Sequence, residues 1–371
     1  MLCKYNKNDH FVSDKNAKLD DCESLRKTSS KKKEEKDVKT IPPQPNVAKC
    51  RANARIEVER WVRRALDKGV GGLREEFLSL KRYIPEGMTT NAFQGTFEAG
   101  KSRYKDVPCQ DKYRVILRWP GIAEDYIHAN YVATPIHKNV SFGPMPNSVI
   151  DFWHMVVQEE SDCIVMLTNT IEKGLNKCEQ YWPNDAGQTA SFGDITISNT
   201  AVRALAPDET TIRVCLLKVQ WKENGREKLV KYVIISSFIK HSWDKKPIVV
   251  HCSAGIGRTG AIVAIEYILE KLQQGIPCES MDQILKELRN QRPYTIQNDM
   301  QYLYVHRVML FYFIDKYKVF ADNDDVMAKY KQFVADYDKI IQYCKRMKPE
   351  ETLVEVRSDS DVQIDRLTLV Y

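Results

Sequence analysis

Between Pro247 and Gly260 the chain reads Pro-Ile-Val-Val-His-Cys-Ser-Ala-Gly-Ile-Gly-Arg-Thr-Gly, and no other stretch restricts the fold as tightly. Ile248, Val249 and Val250 form an apolar run without polar alternation, the pattern of a strand covered on both faces. Small residues then make a tight loop, and after Gly260 the residues Ile262, Ile265, Ile268 and Leu269 set a helical period. A strand-loop-helix turn of this kind is an anion cradle. The backbone N–H groups of Ser253, Ala254, Gly255, Ile256 and Gly257 can turn inward, while the helix points its positive end at the same spot. Arg258 adds a fork for two phosphate oxygens. The same field favours a thiolate at Cys252, so the expectation is a nucleophile aimed at phosphorus, with Thr259 placed to stabilise the sulfur as it leaves.

Around this segment the pattern is that of a layered α/β (α+β) domain. Ile56, Val58, Trp61, Val62 and Ala65 predict an amphipathic helix that stops at Lys68-Gly69-Val70-Gly71-Gly72. Short β-branched runs at 113–117, 163–167, 195–197, 211–217, 230–235 and 248–250 predict strands of a mixed, highly twisted sheet flanked by helices. Helical periods resume over 262–269, 281–288 and 300–317, so the domain is expected to span 51–318. Beyond it, within 319–371, Val326, Tyr330, Phe333, Val334, Tyr337, Ile340, Ile341 and Cys344 make a further amphipathic stripe, which either packs on the domain or binds a partner.

Charge and cysteine usage narrow the function classes. Of the net +6 in this 371-residue chain, most lies in residues 1–50, a polar leader with twelve basic and eight acidic residues and the run Pro42-Pro43-Gln44-Pro45. It is expected to be disordered. The remainder is nearly balanced, which argues against a nucleic-acid binder, since that needs a basic stripe on the folded domain. No apolar run approaches the roughly 20 residues that span a bilayer, and the N-terminus lacks a secretory apolar stretch, so a cytoplasmic location is the expectation. The ten cysteines show no Cys-x-x-Cys pair or zinc spacing; reduced thiols are expected, with neither metal nor cofactor.

The sequence Cys252, five residues, Arg258, Thr259 resembles the signature of the protein tyrosine phosphatase family, and the resemblance extends over about residues 52–318. Lys101-Ser102-Arg103-Tyr104-Lys105-Asp106-Val107-Pro108 is similar to the family's phosphotyrosine-recognition loop, with Ser102 where Asn is usual. Asp125 to Tyr131, Asp151-Phe152-Trp153, and Glu172-Lys173-Gly174 through Lys177-Cys178-Glu179-Gln180-Tyr181-Trp182-Pro183 add to it. So do Gln291-Arg292-Pro293 and Ile296-Gln297-Asn298 through Gln301, which resemble its glutamine loop. The resemblance implies a non-receptor-like, single-domain enzyme acting on phosphotyrosine proteins through a phosphocysteine. In it Tyr104 stacks on the substrate ring, Asp106 holds the substrate backbone, Gln301 joins the substrate-binding residues, Gln297 positions the hydrolytic water, and Glu172, which braces Arg258, and His251 act in support.

One element of the family pattern is missing. A Trp-Pro-Asp loop, whose Asp protonates the leaving oxygen, belongs some 30 to 40 residues before the nucleophile by that resemblance, yet the chain between Glu227 and His251 is about twenty residues too short. Trp243-Asp244 lacks the Pro, and Trp182-Pro183-Asn184-Asp185 belongs to a different element. Ser141-Phe142-Gly143-Pro144 also departs from the family's Thr-Gln-Gly-Pro. Impaired turnover is therefore expected, with a phosphotyrosine-binding module as the rival reading, because losing an acid costs about 100- to 10,000-fold in rate while anion binding can persist.

Overall fold

The helical period that opens the domain becomes α1 (Val47–Leu80) in the computed structural model, which describes residues 47–347 apart from 136–137, 143, 208, 224–225, 236–246 and 279. Residues 1–46 of the leader, Gly143, Trp243 and Asp244 lie outside the described residues, while residues 47–50, expected in the leader, open α1. The expected stop near Gly69 is only a kink. Gly69 adopts φ 58° and ψ −175°, and the helix resumes at once, because Val70, Leu73 and Phe77 continue the apolar spacing into a core that buries them.

Beyond α2 (Asn91–Thr96) come β1 (Arg114–Ile116), β2 (Tyr126–Ala133) and β3 (Lys138–Phe142). After α3 (Val149–Gln158), β4 (Cys163–Met166) and the tiny hairpin β5 (Ile171–Glu172) and β6 (Leu175–Asn176), a meander follows. It is β7 (Thr189–Phe192), β8 (Ile195–Ala206), β9 (Glu209–Glu223) and β10 (Arg226–Ile235). Then come β11 (Ile248–His251), α4 (Arg258–Gln273), α5 (Met281–Arg289), α6 (Asp299–Leu310) with a π-helical turn over Phe311–Lys316, and α7 (Asp324–Met347).

Nine strands form one sheet in the order β1-β2-β3-β11-β4-β10-β9-β8-β7. The four central strands β3, β11, β4 and β10 are parallel, and the flanks are antiparallel, so the expected mixed sheet is present. β11 lies between β3 and β4, with His251 opposite Phe142 on one side and Met166 on the other. Ligands of parallel sheets bind beyond the carboxyl ends of the strands, and β11 delivers its last residue there. β10 and β11 flank β4, and only twelve residues, 236–247, separate them in sequence, about the minimum for a parallel crossover.

Each face of the sheet has its own core. On one, Val250 and Val214 pack with α1, α4, α5, α6 and α7; on the other, Val249, Ile164 and Cys215 pack with Phe152, Trp153 and Val156 of α3 and with Tyr181 and Trp182. Cys163 and Cys215 are buried among these apolar residues, as small core side chains. The stripe of α7 joins the first core through Val326, Tyr330, Phe333 and Tyr337, and Lys329 reaches Asp67 on α1 at 2.9 Å. The buried side of the stripe therefore packs on the domain.

Phe333 is 2% exposed within that core, so Phe333→Ala should cost about 3–5 kcal/mol and lower the thermal midpoint of the whole domain. A loss below about 0.5 kcal/mol in urea unfolding would mean that α7 is dispensable to the fold.

Candidate active site

At the end of β11 the chain leaves the sheet as a buried turn. Cys252 is 3% exposed, Gly255 takes the left-handed conformation (φ 69°), and its N–H donates to Cys252 Sγ at 3.3 Å. Ser253 to Gly257 wrap into the N-terminus of α4, whose first residue is Arg258. Beneath the nucleophile, His251 is fully buried, and its Nε2 accepts from Tyr181 Oη at 2.8 Å. Its Nδ1 donates weakly to Cys252 O at 3.3 Å. Trp153 Nε1 holds the Tyr181 carbonyl at 2.8 Å, so a pile of aromatic side chains supports the strand end.

Arg258 is matched by Glu172 with both carboxylate oxygens, at 2.6 and 2.8 Å, and Nη1 also donates to Leu167 O at 2.7 Å. The carboxylate collects two more donors, Thr168 Oγ1 at 2.9 Å and Asn169 N at 3.1 Å. Burial pushes the Glu172 pKa up, but the hydrogen bonds and charge of Arg258 with the two added donors outweigh it, and the net shift is downward. Glu172 is therefore ionised at neutral pH and has no proton to give. Thr259 Oγ1 is buried without a hydrogen-bond partner among the described residues.

The glutamine segment closes against the same turn. Ile296 N donates to Ile256 O at 2.9 Å, and Gln297 N donates to Gln301 Oε1 at 2.9 Å. Asn298 caps α6 by accepting from Gln301 N. Gly257 leaves room for both amides, since a Cβ there would lie 2.8 Å from Gln301 Nε2 and 3.2 Å from Gln297 Oε1. On the other side Tyr104 Oη and Ser253 Oγ are 3.0 Å apart, and Asp106 stands exposed two residues further on. Arg103 ties this loop down, donating to Asn176 O on β6 and to Pro144 O. Ser102, where the family has Asn, is bonded in the interior to Tyr126 Oη at 3.0 Å.

The structure thus gathers Cys252, Ser253 to Gly257, Arg258, Thr259, Glu172, His251, Tyr104, Gln297 and Gln301 around one turn, with Asp106 at its edge. The Trp182–Asp185 element serves the β8–β9 edge instead: Asn199 donates to Pro183 O and Arg213 to Asn184 Oδ1. Arg103 and Arg292 have no role in the sequence pattern; their carbonyl partners, Pro144 and Ala254, lie 41 and 38 residues away in loops and leave no mark in local sequence. Such a turn can hold a tetrahedral dianion on backbone N–H groups and the Arg258 fork, directly over a thiolate.

A family model described as Protein-tyrosine phosphatase matches residues 98–311. This chain belongs to the protein-tyrosine phosphatase family. It is 32% identical over 281 residues to Tyrosine-protein phosphatase Lar-like of Caenorhabditis elegans, covering 68% of this chain and 12% of that protein. To the human Receptor-type tyrosine-protein phosphatase eta it is 32% identical over 264 residues, 64% of this chain and 19% of the relative. To the rat Phosphatidylinositol phosphatase PTPRQ it is 32% identical over 259 residues, 64% of this chain and 11% of the relative. The chain spans less than a fifth of the length of each of these relatives. The expected cytoplasmic location is corrected by this comparison. Relatives of the phosphatase domain are named as receptor-type, and the expectation rested only on the lack of an apolar span in a chain that covers a small part of them. Among the described residues no helix is long and apolar enough to cross a membrane.

Two outcomes follow from the geometry. A Cβ at Gly260 would lie 2.6 Å from Ile296 N, a backbone atom, so Gly260→Ala should cost about 1–3 kcal/mol in urea unfolding; a neutral change would contradict the close packing of α4 on the glutamine segment. Burial holds the His251 pKa down to about 4, below its ordinary 6.5. With the folded value below the unfolded one, its contribution is complete above about pH 6.5 and is lost as pH falls toward 4. His251→Gln should flatten the stability curve in that window by up to about 1.4 kcal/mol per pH unit, measured by urea titration at several pH values, and an unchanged slope would contradict a neutral buried imidazole.

Proposed function

We propose that this chain is a protein-tyrosine phosphatase that hydrolyses phosphotyrosine on proteins through a phosphocysteine intermediate. The observation that carries the reading is Cys252 Sγ held by the Gly255 N–H at the foot of a turn whose next residue but two is Arg258, forked onto Glu172. The residues 51–318 form the catalytic unit, with α7 as a buttress on its helical face.

The phosphate lies on the N–H groups of Ser253 to Gly257 and on Arg258, which Glu172 holds in the plane needed for two oxygens. The Cys252 thiolate attacks phosphorus; the S–P bond forms as the bond to the tyrosyl oxygen breaks, and the phenolate leaves with its electron pair. Water, set by Gln297 against Gly257 with Gln301 beside it, then attacks phosphorus. The sulfur departs as thiolate, stabilised by Thr259 Oγ1, and inorganic phosphate is released. Tyr104 forms a tall aromatic wall on the Ser253 side, so the long phenol of phosphotyrosine reaches the sulfur while shorter phosphoserine falls short. Asp106, exposed on the same loop, is free to hold the substrate backbone.

The shortened crossover slows one step of this sequence. With Glu172 ionised and spent on Arg258, the leaving oxygen departs without an assigned proton donor. Turnover of phosphotyrosine peptide should therefore lag that of an aryl phosphate with an acidic phenol, such as p-nitrophenyl phosphate, by about 100-fold or more in kcat, and Cys252→Ser should abolish both. Equal rates for the two substrates in steady-state phosphate release would show that a proton donor is present, and phosphate release by Cys252→Ser would remove the nucleophile from the account.

A further inference from the structure

The hairpin that braces Arg258 presents more than its carboxylate. β5 and β6 pair Ile171 with Asn176 and Glu172 with Leu175, across a two-residue turn in which Lys173 and Gly174 both take positive φ, 52° and 72°. Such a turn fixes the register, and directly opposite residues of an antiparallel pair share one face with their Cβ atoms about 5 Å apart. Leu175 therefore stands on the face of Glu172, whose carboxylate meets the Arg258 fork at 2.6 and 2.8 Å. Ile171 shares the opposite face with Asn176. Both apolar side chains stand in water, Ile171 at 60% and Leu175 at 61% exposure. Lys177, two residues further along the Glu172 face, is half-buried, so Leu175 is the most exposed side chain on that face.

A singly exposed leucine is ordinary on a protein surface. This one differs in what holds it and in what it adjoins. Lys177 N and Cys178 N both donate to Thr170 O, at 2.8 and 3.2 Å, and close the base of the hairpin. Arg103 Nη1 donates to Asn176 O at 3.1 Å from the loop that carries Tyr104 and Asp106. The hairpin is thus tied at its base, at Glu172 and at β6, so Leu175 meets a ligand with little backbone freedom left to lose. Only the Glu172 side chain separates it from the fork that takes the phosphate. An extended peptide advances about 3.3 Å per residue, so the three residues on either side of a bound phosphotyrosine cover about 10 Å of chain beside this wall. Leucine offers neither charge nor hydrogen bond, so an apolar partner gains by covering it, while a charged one gives up water for nothing in return.

We propose that Leu175 is a specificity-determining contact, which takes an aliphatic or aromatic side chain of the phosphoprotein within three residues of the phosphotyrosine, so that preferred substrates are apolar rather than acidic at that position. The proposal rests on the reading of the Cys252 turn as a phosphotyrosine site.

The test is fluorescence polarisation of the full chain carrying Cys252→Ser, titrated against labelled phosphotyrosine peptides in which Leu or Asp occupies, one at a time, each of the three positions on either side of the phosphotyrosine in an alanine background. At one position or more, Leu should bind at least about fivefold more tightly than Asp. Adding Leu175→Asn should bring that ratio to within about twofold of unity, while Leu175→Met, which restores an apolar side chain, and Ile171→Asn, on the other face, should keep it. No preference for Leu at any position, or a preference that survives Leu175→Asn, would overturn the proposal. Equal loss in Leu175→Asn and Ile171→Asn would overturn it in favour of hairpin stability. Failure of the phosphotyrosine reading looks different: the same peptides without phosphate would bind as tightly as the phosphorylated ones, and both readings would fall together.

Discussion

The buried ion pair between Arg258 and Glu172 is the interaction on which the rest of this architecture depends. Taking a carboxylate and a guanidinium out of water costs several kcal/mol per ion, and the cost is met only when geometry is bidentate and the remaining lone pairs are filled. Here two guanidinium nitrogens, Thr168 Oγ1 and Asn169 N serve the carboxylate, and Leu167 O takes a further guanidinium proton. The pair joins the first residue of α4 to the β5–β6 hairpin, whose Ile171 and Leu175 are about 60% exposed and bury little of their own. Electrostatics, rather than a core, fixes that hairpin, and Arg103 pins it to the loop carrying Tyr104.

The demands of the pair propagate into the fold. Arg258 must stand at a helix N-terminus directly after a buried strand, so β11 must lie in the middle of a parallel sheet, with β4 beside it to bring Leu167 and Glu172 around the carboxyl edge. Gly257 and Gly260 then allow the glutamine segment to close within contact of the turn, at a cost visible in the positive φ of Tyr294 and Ile296. The aromatic stack under His251 and the cluster around Arg292 hold the turn from below with groups neutral at pH 7, leaving the arginines and Glu172 to set the local field.

How much of this was legible in the sequence depended on how local its cause was. The cradle, its strand and its helix were readable because the spacing of Cys252, Arg258 and Gly260 dictates one geometry over fourteen residues. Strands at 163–167 and 248–250 came within a residue of their observed bounds, whereas Ile195–Ile197 is only the start of β8 and Thr211–Leu217 only the middle of β9; residues beyond them, such as Lys218 and Gln220, are half-exposed and carry no apolar signal. Gly69 misled because a glycine terminates a helix only when nothing apolar continues beyond it, and Leu73 and Phe77 do. The placement of Arg292 was illegible: its partners Asn130 and Ala254 lie 162 and 38 residues away, so its burial is a property of the assembled interior. Location was beyond reach altogether, since the chain covers less than a fifth of each relative compared.

The central claim is that Cys252 carries the phosphoryl group. Acid-quenched rapid mixing of the full chain with excess p-nitrophenyl phosphate, followed by mass spectrometry, tests it most directly. The account predicts a burst of about one phenol per protein molecule and phosphate on the peptide containing Cys252, with neither in Cys252→Ser. Nitrophenol release with no burst and an unmodified Cys252 peptide would contradict it.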